Sequence, residues 1–408
     1  MTSTMTAGGI GGSSPKAGTA GGVGGSSPQE STVTPLAITG CGVVTAAGLG
    51  LSRLGELLTE GLAADSLPYG DEAAQFPPVD IRGVSELRLA DHVGRKGTRH
   101  LDRMTAFGLV ACKLALAGTR ALVDEEEQSR TGVVLGTSTG SIRTTSELGR
   151  ETLTEARPYL LNPSQFPNTV MNACAGQIAI WNSLRGVNAT VAAGRLSSLH
   201  AVRYARTAIS HGRAARLLVG GVEELSPQLA WAWHHSKALP ENTALGEGCA
   251  MFVVEDAAAA AERGRAALAE IYACEARYCS APGPLSAALT DGLASCIERA
   301  LTRSGVRPDD VDTVSLGTTK HSGLGAAERR AVRRVLGRVP AQVQVADALG
   351  ECYSASAALQ LAALLALWSR ESSESPRVAM VTSVGLDRNV GCLVVRKGQP
   401  DGSAVEAG

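Results

Sequence analysis

Between residues 34 and 397, short apolar runs bounded by glycine alternate with longer segments rich in alanine and leucine. The first run, Leu36–Val44 (LAITGCGVV), predicts a strand covered on both faces, because apolar residues follow one another without a polar alternation. Runs of the same kind predict strands at Thr131–Leu135, Ala189–Ala193, Arg216–Gly220 and Ala250–Glu255. Four more fall at Asp312–Leu316, Gln342–Ala346, Val378–Thr382 and Cys392–Arg396. Between them, Met104–Val123, Ser197–His211, Pro284–Ser304 and Ser354–Arg370 have the length and composition of helices. A second strand-and-helix series starts near Ala267 (ALAEIYACEARYC) and repeats the plan of the first. The pattern predicts an α/β fold of two similar halves, residues 34–260 and 261–397.

The ends read differently. GGIGGSSP at Gly8–Pro15 returns as GGVGGSSP at Gly21–Pro28. Such a tract buries too little apolar surface to offset its chain entropy, so residues 1–33 are expected to form a flexible tail, as are residues 398–408. Neither end is expected to carry chemistry.

Composition narrows the function. The 408 residues carry 38 basic and 39 acidic side chains, so no basic excess points to nucleic acid. No apolar run reaches the length of a bilayer span. Aromatic residues make up only 3% of the chain, which leaves the core to alanine, valine and leucine. Nine cysteines, an odd number without a Cys-x-x-Cys, are expected to be free thiols packed as small hydrophobes in a cytoplasmic protein. No ligand spacing for a metal is present, and no cofactor is expected.

Five stretches in order then give the sequence a family likeness: ITGCGVVTAAG from Ile38, MNACAGQIAIWNSLRGVNATV from Met171, LLVGGVEE from Leu217, GEGCAMFVVE from Gly246 and TSVG from Thr382. Together they make residues 36–395 resemble a β-ketoacyl synthase. The resemblance implies a thiolase-like fold: two βαβαβαββ halves in a five-layer α-β-α-β-α sandwich. It also implies an active site of one cysteine, two histidines and a lysine, with the cysteine as acyl-carrying nucleophile at a helix N-terminus.

None of these four groups is present. The nucleophile turn reads Ala193-Gly194-Arg195-Leu196-Ser197, and a permanently protonated guanidinium cannot accept an acyl group. The His-Gly-Thr motif reads Leu316-Gly317-Thr318-Thr319-Lys320, with His321 as the nearest imidazole that could substitute. The Lys-x-x-x-Gly-His segment reads Ala346-Asp347-Ala348-Leu349-Gly350-Glu351. The C-terminal gate, Gly-Phe-Gly-Gly-Thr-Asn in active enzymes, reads Gly385-Leu386-Asp387-Arg388-Asn389-Val390.

Several residues admit more than one reading. Arg195 at a helix start opposes the helix dipole and calls for a nearby carboxylate. By the resemblance, Glu351 faces it, which predicts an Arg195–Glu351 ion pair filling the former site; the rival reading has Arg195 receive a substrate carboxylate. Ser197, Ser198 and His200 follow the turn and could pack or react. Cys174 reads as a core thiol, and His234 and His235 beside Trp231 and Trp233 read as packing rather than metal ligands.

Within the family, bodies that lack the nucleophile resemble the chain length factor of type II polyketide synthases, which usually carries glutamine where this chain has Arg195. That resemblance implies a non-catalytic subunit in polyketide (antibiotic) biosynthesis, paired with a catalytic ketosynthase as a heterodimer. Its further partner is an acyl carrier protein bearing a phosphopantetheine-bound chain, which scattered surface arginines could meet. By position, Met171, Cys174, Ala175 and Ile178 are the expected tunnel and interface residues, and bulk at Ala175 is expected to shorten products. The alternatives are a stand-alone thiolase-fold enzyme with altered acyl-transfer or condensation chemistry, and a homodimeric scaffold that binds acyl carriers.

Overall fold

Ten principal strands fall into two sets of five. The computed structural model describes residues 34–65, 74–85, 87–117, 119, 125–157, 159–280, 283–318, 323–371 and 377–398. The first set is β1 (Leu36–Thr45), β2 (Thr131–Gly136), β3 (Asn188–Val191), β4 (Arg216–Glu223) and β5 (Gly248–Asp256). The second is β6 (Ala269–Tyr278), β7 (Thr313–Ser315), β8 (Ala341–Val343), β9 (Val378–Val384) and β10 (Asn389–Lys397). Their spatial order is β8-β7-β9-β10-β6-β1-β5-β4-β2-β3. Read outward from the centre, each half runs first, fifth, fourth, second, third.

Orientations repeat as well. β2 is parallel to β3 and β4, whereas β5 is antiparallel to β4 and β1; β7, β8, β9, β10 and β6 are related in the same way. The halves join along a three-residue antiparallel contact between β1 and β6, Leu36–Ile38 against Ala269–Ile271. The sequence pattern thus resolves into a duplicated unit.

Helices fill the layers. On the outer face of the first half lie α2 (Arg103–Ala117) and α4 (Ala173–Trp181), packed in one apolar core with Leu135, Leu218 and Met251. Outside the second half lie α7 (Leu285–Ser304) and α8 (Gly323–Leu336), in a core with Val314 and Met380. Between the two halves of the sheet run α5 (Ser197–Ser210) and α9 (Ser356–Trp368), in a third core that takes in Val219, Phe252 and Val381. α9 is apolar apart from Ser356 and Gln360 and almost wholly buried, which is what a helix sandwiched between two sheets requires. α1 (Gly50–Glu60) packs on its flank, while α3 (Ile142–Thr154) and α6 (Pro227–Ser236) lie near the surface. The five-layer thiolase-like architecture follows.

One difference from the sequence reading has a local cause. The predicted strand Gln342–Ala346 ends at Val343, and Val345–Leu349 turns instead into a short helix stopped by Gly350 at φ 77°. α2 and β1 approach so closely that a Cβ on Gly42 would lie 1.9 Å from the Ala111 carbonyl oxygen, a contact only glycine permits. All nine cysteines are free, eight of them buried. The expected tails and His321 lie outside the described residues, the single Gly398 excepted. No described helix is long and apolar enough to cross a membrane.

Candidate functional site

The C-terminal ends of β2, β3 and β4 converge on the turn that leads into α5. Gly194 takes φ +55° there, and a 3₁₀ turn over Gly194–Leu196 carries Arg195 into the interior. Its side chain is 2% exposed. The Nη2 atom lies 2.5 Å from Glu351 Oε2, and Nη1 donates to the Gly317 carbonyl. Nε has no hydrogen-bond partner. Glu351 is held in turn: its Oε1 accepts from the Tyr353 N–H at 2.9 Å and from Ser356 Oγ at 3.4 Å. Sequence reasoning placed these two residues opposite each other, and the structure joins them in a buried, hydrogen-bonded ion pair.

Glu328 completes the arrangement, and the sequence reading missed it. Fully buried on α8, it accepts from the N–H groups of Gly317 (2.9 Å) and Thr318 (3.1 Å) and from the hydroxyls of Thr318 (2.5 Å) and Thr382 (2.6 Å). Gly317 therefore receives Arg195 on its carbonyl and gives its N–H to Glu328. Burial raises the Glu328 carboxyl above its usual range, against lowering by Thr318, Thr382, Gly317 and the Arg195 charge. The signal was available: Glu328 falls on the apolar stripe Leu324, Ala327, Ala331 and Val332 at helical spacing, where a lone acid must be partnered.

Little room remains around Leu316 and Ala346. Leu316 and Ala346 flank a void of about 10 Å³, about one water probe in size, which cannot take an acyl chain. A cavity of about 460 Å³, walled by Leu239, Leu285, Leu289 and Leu386, ends on the Arg195–Glu351 pair instead. Neither Leu316 nor Ala346 lines it. The altered gate joins β9 to β10: Arg388 takes φ +67°, and Asp387 caps the turn by accepting from the Asn389 N–H (3.2 Å) and side-chain amide (2.7 Å). Asp387 also borders the Gly194 turn, 3.3 Å from where a Cβ on that glycine would be.

The two serines after the turn are both engaged by backbone groups. Ser197 Oγ lies 2.7 Å from the Gly194 carbonyl and 3.0 Å from that of Thr137, and accepts from the Ala193 N–H. Ser198 Oγ donates to the Ser354 carbonyl. Among the described residues no hydrogen bond joins either serine to His200, whose pKa is lowered by burial and then by Arg203. Trp231 stacks on His235 at 5.1 Å, and Trp233 meets Tyr353 edge-on at 4.9 Å. No group of three His, Cys, Asp or Glu able to hold a metal occurs among the described residues.

The four expected tunnel residues separate. Cys174, Ala175 and Ile178 are fully buried in the outer core, where Cys174 and Ile178 close over Gly108 of α2. Burial raises the Cys174 thiol well above its usual range. Only Met171 is open, at 41% exposure. It belongs to a run of exposed apolar side chains, Leu153, Tyr159, Leu160, Phe166, Val170, Met171 and Ile180, of which the sequence reading named Met171 as an interface residue. On α4 itself, Gly176 has nothing within 4 Å of where a Cβ would lie.

Comparison with known proteins gives the family. The β-ketoacyl synthase N-terminal domain signature covers residues 34–260, and the C-terminal domain signature residues 268–372. The "Actinorhodin polyketide putative beta-ketoacyl synthase 2" of Streptomyces coelicolor is 29% identical over 90% of this chain and 92% of its own length. The 3-oxoacyl-[acyl-carrier-protein] synthase 2 of Coxiella burnetii is 25% identical over 74% of this chain and 77% of its own. Among solved structures, the ishigamide ketosynthase/chain length factor superposes with a TM-score of 0.77 at 33% identity, covering 89% of this chain and 99% of that one. A type II ketosynthase in complex with its acyl carrier protein, AntDE:AntF, superposes at 0.73 with 18% identity over the same shares, a likeness of fold. With both domain signatures matched over most of its length, the chain belongs to the β-ketoacyl synthase family.

Proposed function

We propose that this chain is a non-catalytic subunit of a type II polyketide synthase, a chain length factor that pairs with a catalytic ketosynthase. The observation that carries the reading is the Arg195–Glu351 pair at the position of the acyl-carrying nucleophile. A guanidinium cannot be acylated, and its carboxylate partner stands where a catalytic histidine would polarise a thioester carbonyl. The likeness to the ishigamide ketosynthase/chain length factor supports the same assignment. The exposed apolar run between Leu153 and Ile180 is the surface for the ketosynthase partner, since a monomer rarely leaves so many large side chains open. The acyl chain, delivered by an acyl carrier protein, grows on the ketosynthase, and α4 of this subunit bounds its tunnel.

Acyl loading tests the reading. The chain alone, and the chain with its ketosynthase, are incubated with acyl-loaded carrier protein and weighed intact. The expected result is an acyl adduct on the ketosynthase and none on this chain. An adduct on this chain, mapped to any side chain, would show a working nucleophile and return the altered-enzyme reading.

A further inference from the structure

At the opposite end of the strands from Arg195, the first residues of β2 and β4 open onto a second polar cavity, of about 210 Å³. Four guanidinium groups line it: Arg130, Arg216, Arg263 and Arg265. Its carboxylates, Glu126, Glu127 and Glu255, number one fewer. The balance is uneven in detail too. Arg265 takes the short contacts, with Nη1 2.6 Å from Glu255 Oε2 and Nη2 2.8 Å from Glu127 Oε1. The other Glu255 oxygen accepts from Thr39 Oγ1 at 2.8 Å.

Arg216, 4% exposed, is left at the edge of this network. It stands 3.6 Å from Glu127 and 3.7 Å from Glu255, inside ion-pair range but beyond a hydrogen bond. Its Nε and Nη1 atoms are buried with no hydrogen-bond partner among the described residues. A buried guanidinium edge without an acceptor is costly, and desolvation pulls this group below the ordinary arginine range. Arg130 and Arg263, both exposed, line the same space and make no ion pair with a described residue.

We propose that this cavity is a binding site for a phosphate-class oxyanion, held by the Arg216 N–H groups that lack a hydrogen-bond acceptor and by Arg130 and Arg263. A tetrahedral dianion supplies acceptors to several arginines at once, which one carboxylate cannot do. The space also admits a phosphate monoester. Because the site lies on the far side of β2 and β4 from Arg195, it is independent of the proposed non-catalytic role.

Calorimetric titration of the full chain with inorganic phosphate, against sodium chloride at matched ionic strength, tests the site. Saturable binding at millimolar phosphate or below is expected. Arg130→Ala and Arg263→Ala, at exposed positions that leave the buried network in place, should each weaken it by about tenfold. Arg216→Met, which keeps the stem and removes the N–H groups, should abolish it, with circular dichroism reporting whether that variant folds. Tighter binding of glycerol phosphate than of inorganic phosphate would identify the ligand as an ester, and the reverse as the free ion. No saturable heat with phosphate, equal affinity in the Arg130 and Arg263 variants, or a response to acetate but not phosphate would each overturn the proposal.

Discussion

Arg195 is buried at the start of α5, where a cation meets the positive end of the helix dipole, a cost of about 0.3–1 kcal/mol. Glu351 offsets it at 2.5 Å, and the Gly317 carbonyl takes a second N–H. Removing one member of such a pair strands the other. Glu351→Gln is therefore expected to lose about 3–5 kcal/mol of unfolding free energy, while the double change Arg195→Met with Glu351→Leu recovers most of it. Urea midpoints of the three proteins check this; equal stability of Glu351→Gln and the parent would show that the pair contributes nothing. Two further buried acids set the pH response. Burial, first among the causes, raises Glu223 and Glu224 from an ordinary 4.5 to about 7 each, and hydrogen bonds from Ser354 and Ser141 only partly counter it. The unfolded chain thus ionises them while the folded chain still holds their protons. Stability is fully retained below the unfolded value and falls as pH rises, by at most about 1.4 kcal/mol per unit and per group, until both states are ionised above the folded value. Urea midpoints should accordingly be higher near about pH 5 than near about pH 8, with a shallower slope in Glu223→Gln.

Among the elements, α4 carries the proposed link to product length. Its buried face, Cys174, Ala175 and Ile178, is committed to the outer core, so Ala175→Trp would be relieved by disrupting that core rather than by trimming a tunnel. Gly176 has open space above it. Gly176→Phe is expected to keep the fold and shorten the main product of the reconstituted pair by at least one two-carbon unit, read by mass spectrometry of the products. An unchanged product distribution would remove α4 from the tunnel wall. The same contrast marks what could be read in the sequence. β1, β2, β9, α5 and α7 were legible to within two residues, because glycines bound short apolar runs and alanine-rich segments fill a helix. Which face of α4 is open was not, because Met171–Ile180 is apolar almost throughout and offers no polar side to mark solvent. Arg195 and Glu351, 156 residues apart, could be paired only through the family resemblance; spacing alone carried no such contact. Glu328 was legible in principle as an acid on an apolar stripe.

At the scale of the molecule, duplication explains both the scaffold and what changed within it. Two halves of identical strand order place α5 and α9 back to back between them, and the nucleophile turn and the Glu351 segment open those two helices. There the Arg195–Glu351 pair ties the turn before α5 to the segment before α9. What stays open is outside: the apolar run from Leu153 to Ile180, which a partner would cover. The central claim, a subunit that acts by pairing, is met most directly by native mass spectrometry of this chain co-expressed with a catalytic ketosynthase of the type II class. The account predicts a 1:1 complex of the two different chains, this one contributing 41.9 kDa. A stable homodimer of this chain, formed to the exclusion of the ketosynthase, would contradict it.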